Sequence, residues 1–283
     1  MAKKDLISNI KSDQERLFYN FNNSSFSFIE TSGENDGESA FKCCEKIVVD
    51  NSIFKLRYPF WHDNHVDVLN STFFETCRGP FWYSSFINFS LNKMYGDKAF
   101  RECRNIKIDN SFIKSNEIFW RCRNIEVENS SIEGEYAFFL SNNISFSNCE
   151  FKGKYSFQYV KNVTIRNAKM NTKDPFWHAK NVTCIDCIIN AEYVAWYAKD
   201  ITFIRCKISS KQPFCCSNNL KFIDCEFIDC DLSFEKSDVH GNAICNNVSL
   251  YNPKSGELVL SGDYKIIEDE FSENHEGFIL KRN

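Results

Sequence analysis

The sequence predicts an all-β chain wound as a single-stranded right-handed parallel β-helix, a solenoid of about ten coils of 19 residues with three short strands per coil. Three observations predict it. An apolar anchor recurs at Ile47, Val66, Ile87, Ile106, Ile125, Ile144, Val163, Val182, Ile201 and Leu220, at intervals of 19, 21 and then 19 seven times running. Columns of like residues keep step with that anchor. Within each short segment apolar and polar residues alternate, which marks strands rather than helices. Tetratricopeptide, ankyrin and leucine-rich repeats are longer or helically patterned, so a parallel β-helix is what remains.

Taken in order, residues 1–25 read as an N-terminal cap, because Phe26 and Phe28 fit an extra anchor pair 21 residues ahead of Ile47. Residues 26–231 are the regular coils. Two residues after each anchor stand Val49, Val68, Phe89 and their successors; seven after stand Phe54, Phe73 and Met94; six before stand Phe41, Phe60, Phe81, Phe100, Phe119 and Phe138. These columns point inward. The corners carry their own columns. Asn105, Asn124, Asn143, Asn162, Asn181 and Asn219 precede anchors, and Asn51, Asn70, Asn110, Asn129, Asn148 and Asn167 follow them by four. Asparagine tolerates a left-handed bend, and stacked amides can bond up and down a ladder. Small residues stand beside the second ladder (Ser52, Ser71, Ser111, Ser130, Cys149, Ala168, Cys187), where the coil turns sharply. The third corner varies in length and is where a solenoid would carry function. Residues 232–283 read as irregular closing coils and a cap: Leu232, Phe234 and Val239 in a shortened coil, Val248 and Leu250 in another, a turn at 252–256 and a strand-like 257–260. The whole chain, 1–283, is one domain.

Composition bounds the function. With 28 Phe, 11 Tyr and 5 Trp the chain can bury a large core. A net charge of −4 without a basic block argues against nucleic acid. No run of about 18 apolar residues suggests a membrane span, and the N-terminal residues do not read as an export signal. Fourteen cysteines in such a chain point to reduced thiols and a cytoplasmic location.

Several stretches resemble a bacterial family of unknown function with a single-stranded right-handed β-helix, related in fold to pectin lyases. They are Gly37-Glu38-Ser39-Ala40, Tyr58-Pro59-Phe60-Trp61, Lys173-Asp174-Pro175-Phe176-Trp177, Leu232-Ser233-Phe234-Glu235 and Asn252-Pro253-Lys254-Ser255-Gly256, in order along nearly the whole chain. The resemblance implies the fold and no activity.

The column five residues before the anchor holds Trp61, Trp82, Arg101, Trp120, Phe139, Gln158, Trp177 and Trp196, every tryptophan of the chain. Its parity is opposite to the inward Phe column, so it is expected to face outward as an aromatic strip suited to sugar rings or a partner. Burial under corner loops or a second copy of the chain is the alternative. Beside it, Arg57, Arg78 and Arg101 could hold a carboxylated sugar, and Glu102, Asp63 and Glu117 are the nearest carboxylates for acid/base work. Glu38, Asp97, Glu135, Lys154, Lys173 and Glu192 share that rim, and weak solvated ion pairs are the plainer reading. Cys184 and Cys187 resemble a zinc half-site by spacing, yet each stands where other coils place a packing residue. No phosphate loop, serine elbow or zinc-protease motif occurs. No cofactor or metal is expected. The reading is a non-catalytic cytoplasmic binding or scaffold protein using its aromatic face, with an oligosaccharide or a second copy of itself as partner. The alternative is a carbohydrate-active lyase or glycoside hydrolase acting on an acidic oligosaccharide along that face.

Overall fold

The structure, a computed structural model, describes residues 5–270 and 277–282. Residues 1–4, 271–276 and 283 of the expected end segments lie outside the described residues. Among the described residues every element is a strand, and the chain is a right-handed parallel β-helix of about 14 coils at roughly 19-residue spacing. No helix among the described residues is long and apolar enough to cross a membrane. The chain divides into two compact units, residues 1–144 and 145–283.

In residues 1–144 the strands Asp5–Ser12, Ser24–Thr31, Glu45–Asp50, Asn64–Leu69, Ser85–Ser90, Arg104–Asp109 and Arg123–Glu128 stack in parallel. The anchors stay in register, with Ile47 against Val66, Val66 against Ile87, Ile87 against Ile106 and Ile106 against Ile125. A second tier runs through Ile53–Phe54, Thr72–Phe73, Lys93–Met94, Phe112–Lys114 and Ser131–Glu135. The third tier is short: Phe18–Tyr19, Phe41–Lys42, Phe60–Trp61 and Phe81–Trp82. Beyond it, among the described residues of this unit, the tier is reduced to the bridge between Trp82 and Arg101. Three strands per coil therefore describes the early coils alone. From Phe100 onward the Phe at this position takes a left-handed backbone (φ 56° at Phe100 and Phe119, 63° at Phe138), and an extended run cannot pass through it.

Stacking also begins earlier than the anchor spacing implied, since Asp5–Ser12 pairs with Ser24–Thr31. Phe26 pairs with Val49, which puts it in the column two after the anchor; Phe28 turns outward at a left-handed corner and is exposed. The coil is longer there than 21 residues, so the pair reads two positions out of register. Strands in both end segments account for coils beyond the expected ten.

In residues 145–283, Lys161–Arg166, Lys180–Ile185, Lys199–Ile204 and Asn218–Ile228 stack in parallel as one tier. Lys169–Lys173, Ile188–Glu192 and Lys207–Lys211 form the second. The closing coils lengthen into Asp238–Tyr251, Ser255–Ile267 and Gly277–Arg282, paired in parallel with register shifts at Phe222/Cys225 and Cys245/Val248.

Inside, the Phe column forms a ring stack: Phe41, Phe60, Phe81, Phe100 and Phe119 follow one another at centroid distances of 5.1, 4.6, 4.7 and 5.0 Å, each wholly buried. Small residues at the second corner close a buried ladder. The Ser52 N–H donates to Ser71 Oγ, that of Ser71 to Asn92 Oδ1, and those of Asn92 and Ser111 to Ser111 and Ser130 Oγ. Each corner frees a backbone N–H that the side chain one coil on satisfies. Outside, Asn143 Nδ2 donates to Asn124 Oδ1 and Asn124 Nδ2 to Asn105 Oδ1, at 2.9 and 2.8 Å. Asn181 repeats the rung on Asn162. All these Asn residues have φ between 55° and 58°.

Candidate functional site

Each tryptophan follows an inward residue of the third tier or turn, and each is half-buried rather than fully outward. In residues 1–144 the column makes a continuous stack. Lys42 Nζ lies 5.3 Å from the Trp61 ring; Trp61 and Trp82 stack at 5.5 Å with 17° between planes. The Arg101 guanidinium lies between indoles, 5.4 Å from Trp82 and 4.5 Å from Trp120, and Phe139 follows Trp120 at 5.1 Å. Tyr58 closes edge-on against both Trp61 and Trp82. Stacking along the coil direction turns ring faces toward one another, so the strip presents edges to solvent.

The indole N–H groups are anchored by one repeated contact. Trp120 Nε1 donates to the Tyr136 carbonyl and Trp196 Nε1 to that of Gln212, at 2.6 and 2.8 Å, each partner 16 residues on. Gln158, buried, donates its amide to the Asp174 carbonyl over the same span, which is why it can stand in a tryptophan column. Trp82 and Trp177 have buried Nε1 atoms with no partner among the described residues.

A further column of rings lies one residue on. His62 stacks on Tyr83 at 5.0 Å, and in residues 145–283 His178 stacks between Tyr159 and Tyr197 at 4.9 and 5.2 Å. These rings are exposed, Tyr83 to 42% and Tyr197 to 48%. All five have left-handed backbones, with φ from 53° to 61°. The signal was in the sequence as a column four before the anchor, but its aromatics are interrupted by the run Glu102, Arg121 and Leu140 and so look irregular.

The charged groups are largely neutralised in place. Arg101, only 15% exposed at its side chain, bonds Glu117 Oε2 at 3.0 Å, and Lys98 reaches the same oxygen at 3.2 Å. Arg57 holds Asp36 at 2.7 Å and Glu38 at 3.1 Å. Arg78 is exposed. Lys173 bridges Glu192 at 3.3 Å and lies over Tyr193, which packs edge-on against Trp196. Glu102 is exposed in the ring column.

Asp63 is a correction. It was expected among the carboxylates beside the strip, and it is instead turned into the core, 1% exposed. It occupies an inner column with Cys44, Ser84, Cys103, Cys122 and Ser141, where it accepts the Cys44 N–H at 2.6 Å and its own N–H donates to Ser84 Oγ. Its Oδ2 has no partner among the described residues. Burial pushes its pKa up, against the N–H donors of Cys44 and Trp61 that pull it down. The same burial, with Asp63 beside it, pushes the Cys44 thiol up to about 12.

Cys184 and Cys187 are both buried, and Cys187 Sγ donates to the Ile185 carbonyl at 3.2 Å. Cys206 and Cys225 repeat that contact on Ile204 and Ile223. They act as the serines do in earlier coils, filling a tight corner with a weak donor.

Stacked parallel coils with inner Phe and outer Asn columns define a right-handed parallel β-helix protein. The chain belongs to the family described as "Protein of unknown function (DUF3737)", which it matches over residues 5–280. Comparison with curated proteins gives no match. Among solved structures it is similar to PfbA, a surface adhesin of Streptococcus pneumoniae, at 12% identity and a TM-score of 0.34 over 89% of this chain and 70% of that one. It is also similar to the A-module of the mannuronan C-5 epimerase AlgE4 of Azotobacter vinelandii (7%, TM-score 0.31, 92% and 86%). A tailspike protein mutant of E. coli bacteriophage HK620 is a third such structure (10%, TM-score 0.31, 93% and 66%).

Proposed function

We propose that this protein is a non-catalytic binding scaffold whose docking face is the aromatic corner. One observation carries the reading: the corner is a wall of ring edges in which Arg57 and Arg101 are already paired. Arg101 is held by two indoles and Glu117, and Arg57 by two carboxylates. Such a surface, rich in Tyr, Trp and Arg, suits a second copy of the chain. It suits a carboxylated sugar less well, because stacked rings keep their faces and the bound arginines keep their donors. The enzyme reading finds little support here. Asp63 is inside, and Glu117 is pinned by two cations, which leaves Glu102 without a facing carboxylate from the set named by the sequence. A cytoplasmic location is part of the proposal, supported by fourteen cysteines that are all free thiols.

Sedimentation velocity over a concentration series, run beside a glycan array, tests this. The expected result is self-association that Tyr83→Glu abolishes, with no array signal dependent on Trp120. Array binding lost in Trp120→Ala, or release of unsaturated or shortened sugar products, would overturn it, as would a monomer at every concentration.

A further inference from the structure

We propose that the outer face of the early coils carries a subsite for a neutral pyranose ring, built on Phe86. The Asn ladder supplies the first observation. Asn105, Asn124 and Asn143 stand immediately before their anchors with left-handed backbones and linked amides. In the preceding coils the same position holds Lys46, His65 and Phe86 at φ 55°, 58° and 55°. These three give up the amide rung and also the residue type that best tolerates such a backbone. A local rule broken where the backbone still demands it points to a use for the side chain other than stability.

The second observation is the ring geometry. His65 and Phe86 lie face to face, centroids 4.4 Å apart and 5° between planes. One face of Phe86 is taken by His65. The other looks along the stack over the coil carrying the short Asn105, and the residue is 45% exposed. At the aromatic corner, rings inside a stack have ring or cation partners on both faces; among the described residues Phe86 stacks on a ring at one face only.

The third observation is the polar frame. Across an open groove of 370 Å³ from the rings stand Asp67 and Asn88, with Asn88 Nδ2 donating to Asp67 Oδ1 at 2.6 Å. This leaves the second Asp67 oxygen and the Asn88 carbonyl as acceptors. Asn105 accepts from Asn124, which leaves its NH2 as a donor. Lys46 is tied to Glu45 at 3.1 Å, so the groove's one lysine is neutralised. A half-exposed ring with no aromatic partner on one face, beside two acceptors and a donor, matches a hydroxyl-bearing ring with one C–H face. A phosphate or uronate would meet the Asp67 carboxylate. The subsite lies away from the aromatic corner and does not rest on the docking proposal.

Saturation-transfer NMR of the full chain with maltopentaose and with cellopentaose tests the subsite. Transfer to at least one sugar is expected, weakened at least about tenfold, or 1.4 kcal/mol, in Phe86→Asn. Because that substitution restores the ladder residue, its Tm is expected to equal or exceed that of the parent, which separates lost binding from lost folding. Asn88→Ala should weaken binding as well. No transfer to either sugar at millimolar concentration, or unchanged affinity in Phe86→Asn, would overturn the proposal.

Discussion

Asp63 occupies a place that neighbouring coils give to a hydroxyl or a thiol, and those groups donate as well as accept. Ser141 Oγ donates to the Phe119 carbonyl and Cys122 Sγ to that of Phe100. A carboxylate can only accept, so the ladder favours Asp63 in its neutral form, in line with burial raising its pKa. The consequence for stability follows from linkage. The unfolded chain ionises this group near the ordinary value of about 3.9, while the folded chain resists ionisation to higher pH. Stability from this site is therefore full below about pH 4 and is lost as pH rises toward the folded pKa. Asp63→Ser, which supplies the hydroxyl found in other coils, is expected to be more stable than the parent at pH 8. The gap should close as pH falls through 4; urea melts at several pH values would show it, and a constant gap would assign the effect to packing alone. The sequence misplaced this residue for a physical reason. His62, between Trp61 and Asp63, has a left-handed backbone that resets the inward/outward alternation. Parity counted from Phe60 is right at Trp61 and wrong two residues later.

At the scale of elements, most of the fold was legible because stacking repeats the same demand in every coil. The anchors and the Phe and Asn columns are one residue type answering one environment many times. The Asn ladders follow directly: Asn124→Ala removes an amide that bonds Asn105 and Asn143 and leaves a β-carbon at φ 57°. A loss of about 1–2 kcal/mol is expected in a chemical melt. A loss near zero would mean that the exposed rungs do no more than water does. The other ladder, four residues after the anchors, accepts substitutes that keep its chemistry, as where Arg205 bonds Asp186 through two contacts of 2.7 and 2.8 Å. Other elements were less legible. Three strands per coil follows from alternation, which cannot report that Phe100 and its successors bend the backbone. The candidate site was half legible. The tryptophan column was plain from spacing, but whether its rings offer faces or edges depends on the stacking angle, and the spent charge of Arg101 depends on Glu117 reaching across from a different coil position.

Over the whole molecule, the coils touch mainly their immediate neighbours, and stability in such solenoids is close to a sum of repeat and interface terms. That makes local damage spread by coil distance. Phe81 is the test residue, since it is wholly buried and stacks on Phe60 and Phe100 at 4.6 and 4.7 Å. Phe81→Ala removes the middle of three stacked rings and leaves a cavity that the flanking coils close only in part. A cost of about 3–5 kcal/mol is expected. Amide hydrogen exchange would locate it. Within residues 1–144, protection should fall most in Asn64–Leu69, Ser85–Ser90 and Arg104–Asp109, the strands of the damaged coil and its two neighbours. Arg123–Glu128 should lose less. In the unaltered chain Asp5–Ser12, which among the described residues pairs with Ser24–Thr31 alone, should exchange before the inner strands. A uniform fall in protection across all these strands would show instead that the coils open as one cooperative block, and the nearest-neighbour account would then fail.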